Sequence, residues 1–218
     1  LPYVEQERVF TQFTTPMSGV PTYDGVNDPS NASFRATGAP QTVIPVMLCA
    51  SSGRTTKFTT VTTVAAGLFC GDYAANYGTR TWTVNGVGTS DGPFPLMTYT
   101  DNFRGLQFKE IVDGLSKTLF IGEKHIPRGE FGDDSGDNSI YTTISTGLNS
   151  SCRAADSTGL ALGPDDTVAD GSNFGSYHPG VVQFVFGDGR IEAISTSIAG
   201  SVLVRLSTRG GGETIPAY

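Results

Sequence analysis

A histidine and an aspartate in the C-terminal third could act together chemically. His178 lies in Phe174-Gly-Ser-Tyr-His-Pro-Gly180, and nine residues separate it from the pair Asp188-Gly189. An imidazole and a carboxylate can form an acid–base pair or share a metal ion. Asp-Gly also closes tight hairpins, because it supplies the positive φ of a type I′ turn. We predict architectural roles: Asp188-Gly189 as a turn, and His178 before a strand, bonded to nearby backbone or a neighbouring loop. Metal binding and catalysis are the lesser alternatives.

The other catalytic patterns are weak. A serine hydrolase would need a nucleophile on a strained elbow, and no G-x-S-x-G occurs. Ser176 lies two residues before His178, and proximity alone does not activate a hydroxyl. His125 follows Glu123-Lys124, where a surface or salt-linked role is expected. We therefore predict that the protein is not an enzyme.

An acidic loop offers oxygen ligands. Ca²⁺ takes six to eight oxygens from carboxylates, amides and carbonyls, although the EF-hand pattern is absent here. The alternative is a solvated loop without a ligand. The predicted calcium ligands are Asp133, Asp134, Asp137 and Asn138, with Asp165, Asp166 and Asp170 as a lesser option. Calcium is the one cofactor that the sequence suggests.

Three cysteines leave the redox state open. Cys49 and Cys70 enclose 20 residues and could form a disulfide worth about 3 kcal/mol; three buried thiols are the alternative, with Cys152 unpaired in either case. With no C-x-x-C and two histidines, a zinc cluster is poorly supported. Few lysines, many threonines and the glycosylation triplets at Asn31 and Asn149 favour an extracellular location.

Composition narrows the class of protein. The 218 residues carry 14 Lys and Arg against 21 Asp and Glu, a net charge of −7, and no cluster of five basic residues, which argues against nucleic-acid binding. No apolar run reaches the roughly 18 residues that a membrane helix needs. The chain begins at Leu1 without a Met, so we expect a preceding segment.

The local patterns predict mostly strands with a helix near each end. Residues 1–13 suit the end of an amphipathic helix, and 127–173 suit a long acidic loop or insertion. Within 174–213 we predict a hairpin of Val181–Phe186 and Arg190–Ile194, then a short helix over 198–206 that Gly210–Gly212 ends. The remaining predicted strands are 42–49 with Pro45 at a bulge or edge, Thr55–Val64, 72–79, a hairpin turning at Asn85-Gly86, and Thr118–Gly122.

Several short elements, taken in order, resemble a known family. They are Leu1-Pro-Tyr-Val-Glu-Gln6, Met47-Leu-Cys49, Ile111-Val-Asp113-Gly114 continuing to Gly122-Glu123, the His178 and Asp188-Gly189 pair, and Leu206-Ser-Thr-Arg209-Gly-Gly-Gly-Glu213. This set resembles the DUF1559 family of planctomycetes and related bacteria, marked by its H-x9-D-G motif.

The resemblance implies a fold and a function. Members carry a prepilin-type N-terminal segment and a long hydrophobic helix, and so resemble type IV pilins and the pseudopilins of type II secretion. It implies one α+β domain over 1–218: a pilin-like head with an antiparallel sheet, an N-terminal helix end, a late β-hairpin and a short C-terminal helix. The expected function is a non-enzymatic structural subunit of an extracellular or cell-surface filament. That subunit would self-assemble, and would meet the membrane only through its N-terminal helix.

The alternative is a secreted or cell-surface binding module that depends on calcium or a glycan. Some pseudopilins have a calcium site in a C-terminal loop, which supports calcium in the acidic loop. The aromatic residues Tyr73, Tyr77, Trp82 and Phe94 fit packing better than a carbohydrate platform.

The resemblance also suggests roles for two of the motif elements. Arg209 would anchor the C-terminal tail through Glu213 or through a backbone contact. Glu123 would pair with an arginine such as Arg190.

Overall fold

The computed structural model describes residues 6–7, 39–60, 67–79, 90–95, 106–133, 136–140, 151–155, 161–162 and 173–218. The described strands are β1 (Tyr73–Gly78), β2 (Leu119–Glu123), β3 (Cys152–Ala154), β4 (Ala161–Leu162), β5 (Gly175–Ser176), β6 (Val181–Phe186) and β7 (Ile191–Ser195). Helix α1 covers Gly200–Ser207. Short 3-10 turns cover Ala39–Gln41, Pro45–Met47, Ala50–Ser52, Phe108–Glu110 and Leu115–Lys117.

The main sheet is mixed. Its order is β3-β1-β2-β6-β7, and β4 and β5 form a separate parallel pair. The β1–β2, β2–β6 and β6–β7 pairs are antiparallel, whereas β3 runs parallel to β1. The predicted α+β class is therefore confirmed. The expectation of an antiparallel sheet is corrected by β3, which runs parallel to β1 and comes from the segment 127–173 that was predicted to be a long acidic loop or insertion.

The late hairpin forms at the predicted place with a different turn. The amide of Gly189 donates to the carbonyl of Phe186 at 3.0 Å, and the amide of Phe186 donates to the carbonyl of Arg190 at 2.9 Å. The bond between Phe186 and Arg190 closes a hairpin loop of three residues, 187–189, whereas a type I′ turn has a loop of two. Gly189 has φ 87° and supplies the left-handed residue that three-residue hairpins need. Asp188 supports the turn by accepting the Arg190 amide at 3.0 Å.

The core lies between α1 and one face of the sheet. Alternate residues of β6 are buried, as expected of a strand with one covered face. Each fully buried apolar side chain contributes roughly 1.5–3 kcal/mol. The core residues are Ala74, Leu119, Ala155, Phe174, Val182, Phe184, Phe186, Ile194, Val202, Leu203 and Leu206.

A buried amide joins the sheet to the end of the helix. Asn76 in β1 is fully buried, and its Nδ2 donates to the carbonyls of Leu119 at 2.8 Å and Ser207 at 3.0 Å. Its Oδ1 accepts the amide of Gly78 at 2.9 Å. Helix α1 ends at Ser207, so the predicted helix is confirmed, but it stops before the three glycines that were expected to end it.

The opposite face of the sheet carries an exposed apolar row. Directly paired residues share a face, and Ala75 pairs with Ile121, Ile121 with Val185, and Val185 with Ile191. Ile121 is 38% exposed and Ile191 is 69% exposed. The row therefore crosses β1, β2, β6 and β7 without being covered by α1.

The strands predicted over 72–79 and Thr118–Gly122 are confirmed as β1 and β2. The strand predicted over 42–49 is wrong. Pro45 starts a 3-10 turn there, because proline fixes φ and lacks the N–H of a ladder bond. The Thr55–Val64 prediction is met in its described part only by a bridge from Phe58 to Phe69.

Other predictions fall outside the described residues. They are the helix over 1–13 (apart from Gln6 and Glu7), the Asn85-Gly86 hairpin and the triplets at Asn31 and Asn149. Across the described ranges, no helix combines the length and apolarity needed to span a bilayer.

Candidate functional site

Three side chains from distant parts of the chain meet at one point. Cys49 follows the Pro45–Met47 turn, Glu123 ends β2, and His178 lies in the loop between β5 and β6. The Sγ atom of Cys49 lies 3.2 Å from Oε1 of Glu123 and 3.5 Å from Nε2 of His178. The same Nε2 lies 3.2 Å from Oε1 of Glu123. We call these three residues the Cys–Glu–His cluster.

Glu123 is the buried centre of this cluster. Its side chain is 3% exposed. The pairing of β2 with β6 brings the amide of Gln183 to 2.7 Å from Oε2, where it donates a hydrogen bond. That bond fixes the carboxylate and leaves Oε1 facing Cys49 and His178. Arg190, the predicted partner of Glu123, instead pairs with Glu192 at the other end of β6.

Cys49 is held through its backbone. Its amide donates to Oδ2 of Asp72 at 2.8 Å, and the hydroxyl of Ser52 donates to the same oxygen at 3.2 Å. Burial and the hydrogen bond to Glu123 raise the pKa of the Cys49 thiol. Since the thiolate is the nucleophile, a raised pKa means that these contacts do not activate the Cys49 thiol. Burial, with nearby Cys49, Glu123 and Asp72, also raises the pKa of Tyr73 to about 12.

His178 links the cluster to solvent. Its side chain is 30% exposed, and its backbone amide donates to the hydroxyl of Ser176 at 3.1 Å. The imidazole faces the carboxylate of Glu123 and the thiol of Cys49, which lies in the loop between two 3-10 turns. Asp188 follows the opposite end of β6 from His178. Because β6 has six residues, the two ends of the strand are about 20 Å apart. The two motif residues therefore do not form one site.

A small cavity adjoins the cluster. Its volume is about 10 Å³, which is room for about one water molecule or ion. Cys49, Ser52, Asp72 and Glu123 contribute to its wall. Within the described ranges, the Cys–Glu–His cluster is the group whose ligand atoms could hold a metal, all lying within 4.8 Å of one another.

Asp137, a predicted calcium ligand, is instead the centre of a buried ion-pair network. Its Oδ2 lies 2.5 Å from Nη1 of Arg54, and its Oδ1 lies 3.2 Å from Nζ of Lys124. The amide of Gly132 donates to Oδ2 at 2.9 Å. Arg54 also binds Oδ1 of Asp72 at 2.5 Å, which connects this network to Cys49. Two cations already occupy the carboxylate, so the prediction that Asp137 binds calcium is corrected.

Burial alone would raise the pKa of Asp137, but Lys124, Arg54 and the Gly132 amide together hold it below its ordinary value. The predicted ligand Asn138 is also fully buried, and its Oδ1 accepts the amide of Ser139 at 2.7 Å. Asp133 is half-buried. The other proposed ligands, Asp134, Asp165, Asp166 and Asp170, lie outside the described residues.

The Asp113 and Arg209 motifs fasten the C-terminal tail. The Asp113 carboxylate accepts the amides of Gly211 at 2.8 Å and Gly212 at 2.7 Å, and the Asp113 amide donates to the carbonyl of Arg209 at 3.2 Å. Gly114, with φ 97°, lets the chain turn directly after Asp113.

Arg209 makes the backbone contact that was one of its two predicted roles. Its Nη1 donates to the carbonyls of Ser90 and Gly92, both at 2.7 Å. Among the described residues, no ion pair joins Arg209 to Glu213, which is exposed.

All three cysteines are free thiols, so Cys49 and Cys70 do not form the disulfide considered above. The alternative of three buried thiols is met in part, because Cys70 is buried and Cys49 and Cys152 are half-buried. The Cys70 thiol points into the interior and donates to the Asp137 carbonyl at 3.4 Å, away from the Glu123 contact of Cys49. Burial raises the pKa of Cys70 to about 12, so this thiol is inert.

Comparison with family models identifies the chain. A model described as "Protein of unknown function (DUF1559)" matches residues 1–201. The chain belongs to the DUF1559 family. No curated protein and no solved structure matches it.

In this DUF1559 protein, each member of the Cys–Glu–His cluster comes from a different motif element. Cys49 closes the Met47-Leu-Cys49 element, Glu123 ends the Gly-Glu element, and His178 belongs to the H-x9-D-G element. The sequence singled out each residue but did not group them, because long-range strand pairing brings them together. The sequence signal for their proximity was that all three residues belong to the motif elements that resemble the family.

Proposed function

We propose that this protein is the globular head of a non-enzymatic, pilin-like structural subunit that assembles into a filament outside the cell. The observation that carries the proposal is the exposed apolar row on the open face of the sheet. The resemblance of the motif set to a family with prepilin-type N-terminal segments supports the same function.

The apolar row suits burial against a helix. Ile121 and Ile191 are large, exposed and adjacent to Val185 across paired strands. A contiguous exposed apolar surface is a marker of protein contact. The segment 1–13 has the pattern of an amphipathic helix, and its apolar side would cover such a row. The head would thereby be fixed to the helical core of a filament.

The use of the motif residues supports a structural role. The side chains of Asp113 and Arg209 form hydrogen bonds with backbone groups of the same chain. Asp188 supports a turn, and burial and the contact with Glu123 raise the pKa of the Cys49 thiol. Interactions of this kind hold a rigid head in shape and leave no activated nucleophile among these residues.

The first test is the N-terminal sequence and intact mass of the protein purified from its own cells. A chain that begins with a methylated residue and a long apolar helix ahead of Leu1, recovered from sheared surface filaments, is the expected result. A monomeric chain released by ordinary secretory cleavage would overturn the filament and favour the secreted binding module.

A paired substitution tests the surface itself. Ile191→Asp should abolish filaments seen by electron microscopy while the protein is still secreted and folded, because a charge cannot be buried against the helix. Val46→Asp is the matched control, since Val46 is 60% exposed in a 3-10 turn and does not belong to the apolar row. Equal filament yields from both variants would contradict a role for the apolar row.

A further inference from the structure

We propose that Cys49, Glu123 and His178 form a zinc-binding site in which the thiolate, one carboxylate oxygen and the imidazole Nε2 are the protein ligands. The site does not depend on the filament proposal. The sequence argued against zinc because it lacks a C-x-x-C pair and has two histidines. The fold supplies the missing third ligand from the end of β2.

The separations between the ligand atoms match tetrahedral zinc. Bond lengths of about 2.3 Å to sulfur and about 2.0–2.2 Å to nitrogen and oxygen place neighbouring ligand atoms roughly 3.4–3.6 Å apart. The three observed separations are 3.2, 3.2 and 3.5 Å. Binding would therefore require shifts of only a few tenths of an ångström.

The ligand types select the metal. A thiolate is a soft ligand that favours zinc over the hard cations calcium and magnesium, which take oxygen ligands. One sulfur, one nitrogen and one oxygen make a three-residue set that leaves a fourth position open. A cavity of about 10 Å³ lies against two of the three ligands, Cys49 and Glu123, and has room for about one water molecule.

The surrounding contacts hold the ligands in place. Oε2 of Glu123 is occupied by the Gln183 amide, so Oε1 is the oxygen aimed at the site. The amide of Cys49 is bound by Asp72, which fixes the approach of the sulfur. Hydrogen bonds of this kind orient metal ligands, and the loss of one typically lowers metal affinity about 10–100-fold.

Charge also favours a cation. A buried carboxylate is costly unless a positive charge or metal compensates it. Within the described part of the chain, no lysine or arginine pairs with Glu123, and its one ion-pair partner is the imidazole of His178. The neighbouring Arg54 and Lys124 are directed to Asp72 and Asp137 instead. A zinc ion would supply the missing compensation.

The test is titration of the full chain, purified without chelator under reducing conditions, with Co²⁺ and then Zn²⁺. We expect one equivalent of Co²⁺ to produce a thiolate-to-cobalt charge-transfer band, and one equivalent of Zn²⁺ to remove it. Ca²⁺ should produce no competition. Absence of the band in the wild-type protein would overturn the site without reference to any variant.

Variants then assign the ligands. Cys49→Ser should remove the band, and His178→Gln should weaken Zn²⁺ binding at least 100-fold, more than loss of an outer contact costs. Cys152→Ser is the cysteine control, since its thiol contacts Ser151 and not the cluster, and Asp188→Asn is the control within the histidine motif. Undiminished binding by Cys49→Ser, with the circular dichroism spectrum unchanged, would also refute the proposal.

Alkylation gives an independent measurement in the wild-type chain. Zn²⁺ should slow iodoacetamide labelling of Cys49, measured by peptide mass spectrometry, because coordination removes the free thiolate. Cys152 should label at the same rate with and without the metal. Equal protection of both cysteines would indicate general stabilisation and would count against the site.

Discussion

Asp137 and Arg54 form a bidentate ion pair that is buried. Nη1 of Arg54 lies 2.5 Å from Oδ2 of Asp137, and Nη2 lies 3.2 Å from Oδ1. The two side chains are 0% and 4% exposed, respectively. Because Arg54 also binds Asp72, the pair joins the segment 136–140 to the start of β1 and to the backbone that positions Cys49.

Asp137→Asn should therefore destabilise the fold strongly. The substitution removes the negative charge that pairs with Arg54 and Lys124, and leaves Asp72 as the carboxylate that still binds Arg54. Breaking a buried ion pair typically costs about 3–5 kcal/mol. Urea denaturation of the purified chain measures the loss. Asp188→Asn, on an exposed turn, is the matched control and should change stability by less than about 1 kcal/mol. Similar midpoints for the two variants would show that the network contributes little.

The same carboxylate predicts a pH dependence. The pKa of Asp137 is lowered in the folded state. Its contribution to the free energy of unfolding is therefore complete at pH values above the unfolded-state pKa of about 3.9, and is lost as the pH falls through the folded-state pKa. The free energy of unfolding should therefore decline below about pH 4, and less steeply in Asp137→Asn. Parallel pH profiles for the two proteins would refute this assignment.

Local patterns predicted the elements whose partners are near in sequence. Asp188-Gly189 located the hairpin, and the spacing of Ile198, Val202 and Leu206 located α1, because each depends on residues within a few positions. The strand predicted around Pro45 failed since a buried apolar run does not distinguish a strand from a packed 3-10 turn.

The candidate site was less predictable because its contacts are long-range. Cys49, Glu123 and His178 were each identified from motifs, but their meeting depends on β2 pairing with β6. The ligand role predicted for Asp137 followed from its acidic neighbours. Its true partner, Arg54, lies 83 positions away and carried no local signal.

Asp113→Ala should loosen the C-terminal tail without unfolding the sheet. The change removes the acceptor for the amides of Gly211 and Gly212, and hydrogen bonds to a carboxylate at a partly exposed site are worth about 1–2 kcal/mol in total. Hydrogen exchange with mass spectrometry should show faster exchange over 209–213 and unchanged exchange in β6. Asp113→Asn keeps one acceptor oxygen and should fall between the two proteins. Unchanged tail exchange in Asp113→Ala would contradict the fastening role.

Gly78→Ala should cost far more than Gly180→Ala, although both glycines have positive φ. Gly78 has φ 103°, and a Cβ there would overlap Oδ1 of Asp91 and the amide nitrogen of Gly92. Gly180 has φ 72° and nothing within 4 Å of an added Cβ. Backbone strain alone costs about 1–2 kcal/mol, which is the whole expectation for Gly180→Ala. Overpacking adds about 1–3 kcal/mol, so Gly78→Ala should lose roughly 2–5 kcal/mol in urea denaturation. A larger loss of unfolding free energy at Gly78 would show that the contact between β1 and the segment 90–95, which Arg209 also binds, is rigid. Equal losses at the two glycines would mean that the segment moves aside freely.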